Sequence, residues 1–141
     1  MLFGLIKKIL FCLPPETAHK IALCSLNGLA KILTFQNLSQ NNPIKLMGLT
    51  FPNRVGLAAG LDKNGRYLPG LGRCGFGFIE IGSVTPKPQA GNPKPRLFRL
   101  PQHQALINRM GLNNEGAEAV SARLNRKSFP GVLGVSITQN T

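Results

Sequence analysis

VGLAAGLDKNG, residues 55–65, is a run of small and branched apolar residues that ends in a turn carrying one acid and one lysine. An apolar run without alternation is typical of a strand buried on both faces, as in a parallel sheet. Its glycines and alanines leave little side-chain volume near the strand's end, which leaves room for a flat or bulky group against the backbone. Because barrels of parallel strands carry their chemistry at the carboxyl-end rim, Lys63 is the first candidate functional residue.

Strand and helix patterns alternate along the chain from this stretch onward. We predict strands at about 55–61, 76–84 and 132–137, a weak crossover helix at 66–75 and a stronger helix at about 115–127. Asn113 or Asn114 is predicted to cap the second helix, with Glu115 and Glu118 in its first turns. This order of elements indicates a parallel sheet in an α/β fold.

One connection is much longer than a simple crossover, because roughly 29 positions lie between strand two and its helix where a few are usual. Its first part, 85–95, is rich in proline, and the part at 96–110 alternates as a hairpin does. Long structured insertions on this face of an α/β fold are commonly lids or binding loops.

Two amphipathic helices are predicted ahead of this region, at 1–13 and about 16–33, separated by Pro14 and Pro15. The polar stretch 36–42 is predicted to be a linker, and 44–51 a small hairpin. Two short helices that are very apolar and net basic are typical of a module that binds a membrane surface or a partner. The alternative is that they pack on the main domain, and the sequence leaves both interpretations open.

The charge balance is strongly basic, since 17 Lys+Arg against 5 Asp+Glu give a formal net charge of +12. An anionic partner is therefore expected, such as a phosphate cofactor, a carboxylate substrate or an acidic membrane surface. Nucleic acid is disfavoured, because the basic residues are scattered and 1 Tyr with 0 Trp leaves few stacking platforms. The 3 cysteines are widely spaced, which argues against a disulfide framework and fits a reducing cytoplasm.

The titratable side chains offer little for acid–base or metal chemistry. His19 and His103 are far apart and lack neighbouring ligands, so no metal site is predicted. Glu80 lies between two isoleucines in the second predicted strand, where a buried carboxylate needs a partner, and a structural salt bridge is expected there. Hydrolysis by paired carboxylates is therefore disfavoured.

A polar set remains on the predicted rim loops: Lys63, Ser83, Asn108, Arg109, Asn113 and Asn114. Asparagine both donates and accepts hydrogen bonds and lysine neutralises charge, which suits a planar, imide-like ligand that bears a carboxylate. The alternative is that these are turn residues chosen for backbone geometry. It applies best to Asn113 and Asn114, and less to Asn108, which interrupts an apolar stretch.

Three long motifs resemble dihydroorotate dehydrogenase of the quinone-dependent, membrane-associated class: AGLDKNG at 59–65, GFGFIEIGSVTPKPQAGNPKPRLFRL at 75–100 and INRMGLNN at 107–114. PPETAHK at 14–20 is similar to the N-terminal membrane-binding extension of that class, and GVLGVSI at 131–137 to its third barrel strand. The resemblance implies an α/β fold, namely the N-terminal part, about three of eight strands, of a (β/α)8 TIM barrel. It also implies a helical extension over 1–40 ahead of a truncated FMN-binding barrel portion over 41–141.

The family oxidises dihydroorotate to orotate with FMN in pyrimidine biosynthesis, and it passes the electrons to ubiquinone through the helical extension. By resemblance, the chain is expected to bind FMN and dihydroorotate or orotate, to meet ubiquinone, and to bind an acidic membrane surface through residues 1–33. The expected location is peripheral, on the cytoplasmic face of the bacterial inner membrane.

The resemblance also implies which residues form the site. Flavin contacts are expected from Ala59, Gly60, Leu61, Asp62, Lys63, Ser83 and Ser136. Lys63 is expected to reach the substrate carboxylate as well. The remaining substrate contacts are expected from Asn108, Arg109, Met110, Gly111 and Leu112.

Two departures from the family pattern stand near residue 141. Ser136 replaces a flavin-contacting Asn, and Thr138 and Gln139 replace a Gly-Lys pair. A full barrel needs about 250 residues, so the family's catalytic Ser is expected beyond Thr141. The chain is accordingly expected to be a fragment that is inactive and poorly folded alone. The alternative, from another class, is a basic fragment that binds a membrane surface without catalysis.

Overall fold

The computed structural model describes residues 2–32, 42–125 and 129–141. Helix α1 covers Leu2–Phe11 and helix α2 covers Pro15–Ile32, so both predicted N-terminal helices are confirmed. Pro15 begins α2, a position where its missing N–H costs nothing. Neither helix in these ranges is long and apolar enough to cross a membrane. The predicted linker and the boundary near residue 40 lie almost wholly outside the described residues.

The strands form two antiparallel hairpins and one parallel sheet. In chain order they are β1 (Ile44–Leu46), β2 (Leu49–Phe51), β3 (Gly56–Leu57), β4 (Phe78–Val84), β5 (Leu97–Leu100), β6 (Ala105–Asn108) and β7 (Val132–Ile137). β1 pairs with β2 and β5 with β6, which confirms both predicted hairpins. The parallel sheet has the order β3-β4-β7, which confirms the predicted α/β arrangement. Helix α3 (Leu68–Gly72) connects β3 to β4, and helix α4 (Ala117–Leu124) precedes β7.

β3 is much shorter than predicted. Only Gly56 and Leu57 pair with β4, and Val55 is 62% exposed. The prediction of a strand over 55–61 that is buried on both faces is therefore wrong. Two features explain the short pairing: β3 lies at an edge of the described sheet, and a φ of 108° at Gly60 turns the chain away from β4.

One face of the parallel sheet carries the hydrophobic core. The core combines buried side chains of α2, α3, β4 and α4: Leu23, Leu68, Leu71, Ile79, Ile81, Val84 and Val120. Side chains alternate across a strand, so Glu80 lies on the opposite face, where it is exposed and runs along Gly134 of β7. The prediction of a buried Glu80 carboxylate is therefore wrong, and no ion pair within the described ranges includes it.

The start of α4 also differs from the prediction. Its N-cap is Gly116, at a φ of 82° and without a side-chain cap, so the predicted cap by Asn113 or Asn114 is wrong. Asn114 is instead buried, and its Oδ1 accepts hydrogen bonds from the N–H groups of Thr85 and Gly116. The amide of Asn114 therefore joins the end of β4 to the turn before α4. Glu115 lies before the helix, while Glu118 lies in its first turn as predicted.

Candidate functional site

A cleft of about 1070 Å³ lies between α2, the turn that follows β3 and the β5–β6 hairpin. The turn contributes residues from Leu57 to Asn64, and α2 contributes Glu16, Thr17, His19 and Lys20. The hairpin side contributes Lys94, Leu97, Asn108 and Met110, with Asn113 beyond it. The cleft therefore joins the apolar stretch at 55–65, the long insertion and the N-terminal helices.

Small residues make one wall of the cleft. Ala58, Ala59 and Gly60 follow β3 and line the cavity with almost no side-chain volume. A Cβ added at Gly60 would meet no heavy atom within 4 Å, so the backbone there borders open space. A flat ring system can therefore approach this stretch of main chain, as its composition predicts.

Asp62 fixes the turn at the end of this wall. It is only 3% exposed, and its Oδ1 and Oδ2 accept the N–H groups of Arg66 and Tyr67 at 2.9 and 2.7 Å. These two N–H groups lie just before α3, which begins at Leu68, so the carboxylate satisfies backbone donors of the turn that leads into the helix. Asp62 thus holds the shape of the turn through the backbone.

Lys63 projects toward the cleft from the same turn. Its Nζ donates a hydrogen bond of 2.8 Å to Oδ1 of Asn113, and the side chain is half-buried. Burial lowers the pKa of the Lys63 ammonium from its ordinary value, and the nearby charge of Arg96 lowers it further. Among the residues that the structure describes, Asn113 is the one hydrogen-bond partner of the ammonium, so its other N–H groups can reach an anionic group in the cleft.

A bidentate ion pair lies in the wall between α2 and the long insertion. Arg96 Nε and Nη2 donate to Oε1 and Oε2 of Glu16 at 2.9 and 3.1 Å, and Arg96 is 7% exposed. Its Nη1 also donates to the carbonyl oxygens of Ala90 and Asn92. The Arg96 hydrogen bonds hold the pKa of the Glu16 carboxyl below its usual range, against the opposing effect of burial. The pair therefore joins the start of α2 to the insertion.

A second arginine of the insertion holds α1. Arg99 of β5 donates to the carbonyl oxygens of Leu10, Phe11 and Leu13, which lie at the end of the helix and just after it. Its guanidinium also lies 4.6 Å from the centroid of the Phe11 ring. Cations stabilise the carboxyl end of a helix, where carbonyl groups lack partners. The sequence left open whether the two helices bind a membrane surface or a partner, or pack on the main domain. These contacts show that they pack on the main domain.

The structure brings most of the predicted turn residues together with part of the predicted substrate segment. Ala59, Gly60, Leu61, Asp62 and Lys63 line the same cleft as Asn108 and Met110. Gly111 and Leu112 are not among the lining residues; both have positive φ, 70° and 56°, in the turn that leads back to Gln89.

Arg109 points elsewhere. Its Nε and Nη2 donate to the carbonyl oxygen of Pro95 at 3.3 and 3.0 Å, and its guanidinium lies 6.0 Å from the Phe98 ring. Ser83 and Ser136, at the ends of β4 and β7, also lie outside the lining set. Their hydroxyl oxygens are 2.9 Å apart, so the two predicted flavin contacts are neighbours at the carboxyl edge of the sheet.

Sequence reasoning missed the contribution of α2 and of Arg96. Glu16 and Arg96 are 80 positions apart, and no local pattern in a single sequence relates residues at that separation. The available signal was the resemblance of residues 14–20 and 75–100 to family segments, which identified both stretches without indicating that they meet beside the cleft.

The comparison with known proteins agrees with this geometry. The family model described as dihydroorotate dehydrogenase matches residues 43–140, which include the turn, the insertion and all three parallel strands. The chain belongs to the dihydroorotate dehydrogenase family. A curated dihydroorotate dehydrogenase (quinone) of Aromatoleum aromaticum is 50% identical over 140 residues, and one of Marinobacter nauticus is 53% identical over 142. The predicted resemblance is thereby confirmed.

The chain matches part of each relative. Each alignment covers 99% of this chain. It covers 40% of the Aromatoleum aromaticum relative and 42% of the Marinobacter nauticus relative. The crystal structure of a dihydroorotate dehydrogenase from Eimeria tenella in complex with ferulenol superimposes with a TM-score of 0.74 at 42% identity. The match covers 89% of this chain and 36% of that one; the ligand-free enzyme gives a TM-score of 0.75. The α/β sheet seen here is thus a portion of a dihydroorotate dehydrogenase fold.

Proposed function

We propose that this chain supplies the first wall of the flavin and substrate site of a quinone-dependent dihydroorotate dehydrogenase. The proposal rests on the position of Lys63. Its half-buried ammonium is hydrogen-bonded to Asn113 and lies beside the wall formed by Ala58, Ala59 and Gly60. The chain spans about 40% of the length of the curated relatives it matches, so oxidation of dihydroorotate to orotate is proposed for the site completed by the remaining (β/α)8 barrel strands.

FMN fits the residues that form this wall. The open space over Gly60 and the small side chains of Ala58 and Ala59 leave a bare strip of main chain against which a planar ring can lie. Ala59, Gly60, Leu61 and Lys63 would hold that ring, while Asp62 keeps the turn in shape. A flavin bound there would accept a hydride from the substrate.

The polar residues of the cleft suit dihydroorotate. The ammonium of Lys63 would neutralise the substrate carboxylate, and the amides of Asn108 and Asn113 can donate to and accept from an imide. Neither carboxylate in the described lining is available as a base, because Glu16 is paired with Arg96 and Asp62 with backbone N–H groups. The described lining therefore offers no free carboxylate to act as the base.

A chimera tests the proposal. The matched 140 residues of the Aromatoleum aromaticum relative are replaced by this chain, and the product is produced in a bacterial strain that lacks dihydroorotate dehydrogenase. We expect growth without added pyrimidine and a purified chimera that retains flavin and oxidises dihydroorotate with a quinone. A folded chimera without flavin or turnover, beside an active relative in the same assay, would contradict the proposed function.

We also propose that the two helices bind an acidic membrane surface and lie beside the route of ubiquinone to the cleft. Support comes from apolar side chains that remain exposed although the helices pack on the domain, among them Leu5, Ile9 and Leu29 at 58%, 58% and 48%. Lys7 and Lys8 accompany them on α1. Such helices lie in the interface plane of a bilayer. The proposed location is peripheral, on the cytoplasmic face of the bacterial inner membrane.

The double variant Leu5→Ser with Ile9→Ser is expected to bind vesicles of anionic phospholipid at least about tenfold more weakly than the unchanged chain, because it removes buried apolar area from the lipid contact. Sedimentation with vesicles measures the bound fraction. The matched control is Leu46→Ser with Met47→Ser, which changes two exposed apolar residues of the first hairpin. Equal binding by both double variants would eliminate the proposed membrane contact through α1.

A further inference from the structure

The carboxylate of Glu115 lies between two arginines of different elements. Its Oε1 is 2.6 Å from Arg66, which follows the Lys63 turn, and its Oε2 is in close contact with Arg123 of α4. Arg66 also borders the cleft. Glu115 therefore bridges the turn after β3 to the helix that precedes β7.

Hydrogen bonds of Asn64 also join the turn after β3 to the segment that contains Glu115 and α4. The N–H of Glu115 donates to Oδ1 of Asn64 at 3.0 Å, and Arg123 Nη1 donates to the carbonyl oxygen of Asn64 at 2.7 Å. Asn64 is thus held through its side chain and its main chain. We call Asn64, Arg66, Glu115 and Arg123 the clamp.

The clamp adjoins the Lys63–Asn113 hydrogen bond along both chain segments. Asn64 directly follows Lys63, and Glu115 stands two positions after Asn113. A shift between the two segments would separate Nζ of Lys63 from Oδ1 of Asn113, which are 2.8 Å apart. The clamp links the same two segments, one position after Lys63 and two positions after Asn113, and so opposes that shift.

Burial divides the clamp into a stronger and a weaker half. The side chain of Arg123 is 19% exposed and that of Glu115 is 30% exposed, whereas that of Arg66 is 54% exposed. Exposed ion pairs contribute little, so the Arg123 contact is the main one. Burial works against the charged carboxylate, yet the hydrogen bonds from Arg123 and Arg66 hold the pKa of Glu115 below its ordinary value.

We propose that Glu115 is a positioning residue that holds the Lys63 ammonium against Asn113 and so preorganises the cation for its anionic ligand. The identity of that ligand rests on the proposed function; the ordering of Lys63 does not. A cation held in place before binding loses less side-chain entropy when the ligand arrives.

The test uses the chimera in its flavin-free form and without substrate, labelled with ¹³C at the lysine ε position. Nuclear relaxation gives the order parameter of each lysine Cε, and Lys45, an exposed residue of β1, serves as the internal reference. We expect Lys63 to be more ordered than Lys45 in the unchanged chain. In Glu115→Gln we expect the order parameter of Lys63 Cε to fall to that of Lys45 Cε, while the far-ultraviolet circular dichroism spectrum stays unchanged.

The matched control is Glu118→Gln, which removes the same charge from the first turn of α4 and is expected to leave Lys63 ordered. Arg123→Lys provides a second route, because it keeps the charge and removes the forked contact with Glu115 and Asn64. An ordered Lys63 in both Glu115→Gln and Arg123→Lys, or an equal loss of order in Glu118→Gln, would overturn the proposal. Since no flavin or substrate is present, this outcome is independent of the activity of the chimera.

Discussion

Replacing Arg96 with methionine in the chimera is expected to lower its free energy of unfolding by about 2–4 kcal/mol. The change leaves the Glu16 carboxylate without its bidentate partner and removes the donor to two carbonyl oxygens, at Ala90 and Asn92. Arg96 is 7% exposed, so water replaces these contacts only in part. Urea unfolding followed by circular dichroism measures the loss, which is a large share of the stability of a small domain.

The control for this variant is Arg109→Met in the same insertion, where the exposed guanidinium contacts one carbonyl oxygen, that of Pro95. A loss of less than about 1 kcal/mol is expected there. Losses of equal size in the two variants would contradict the assignment of Arg96 as the link between α2 and the insertion.

The same pair makes the stability sensitive to acid. The pKa of folded Glu16 is lowered from 4.5, so its contribution is present above about pH 4.5 and is lost as the pH falls through the lower folded value. In Arg96→Met the largest cause of the lowered pKa is absent and only the weaker effect of Lys94 remains, so most of this acid dependence is expected to disappear.

Lys63→Met in the chimera is expected to reduce the rate of dihydroorotate oxidation about a hundredfold, which corresponds to about 2.7 kcal/mol. Methionine has nearly the length of lysine but neither its charge nor its hydrogen bond to Asn113. The carboxylate of the substrate would then lack its counter-charge. Steady-state turnover with a quinone, together with the flavin absorbance of the purified protein, measures the effect.

Lys94→Met is the matched control, because Lys94 also lines the cleft but lies 3.6 Å from Glu16 with a side chain that is 69% exposed. A change of less than about threefold is expected, since exposed ion pairs contribute little. Similar losses for Lys63→Met and Lys94→Met would mean that the cleft needs net positive charge rather than a cation at one place.

The elements predicted correctly are those whose structure follows from the residues within the element itself. The hairpin β5–β6 alternates along its sequence, and β4 and β7 are apolar runs between turn residues, so each follows from its own composition. Helix α3 was predicted to be weak, and it is indeed a single short element around Pro69 and Gly70.

Features that depend on distant neighbours were not predictable in the same way. The length of β3 depends on its edge position and on the backbone at Gly60, and the exposure of Glu80 depends on which face of β4 the helices cover. Arg109 was assigned to the substrate by its motif, yet its guanidinium contacts Pro95. Motif resemblance identified the segment, while the direction of each side chain follows from packing that the sequence does not display.

The contacts of the two arginines with the N-terminal helices have a consequence for synthesis on the ribosome. Glu16 is made 80 residues before Arg96, and Phe11 is made 88 residues before Arg99. At about 5–20 residues per second, roughly 4–18 s pass between the synthesis of these helices and the synthesis of the arginines that hold them in place. During that interval the hairpin is absent, so the apolar side chains of both helices lack its cover until the insertion has been made.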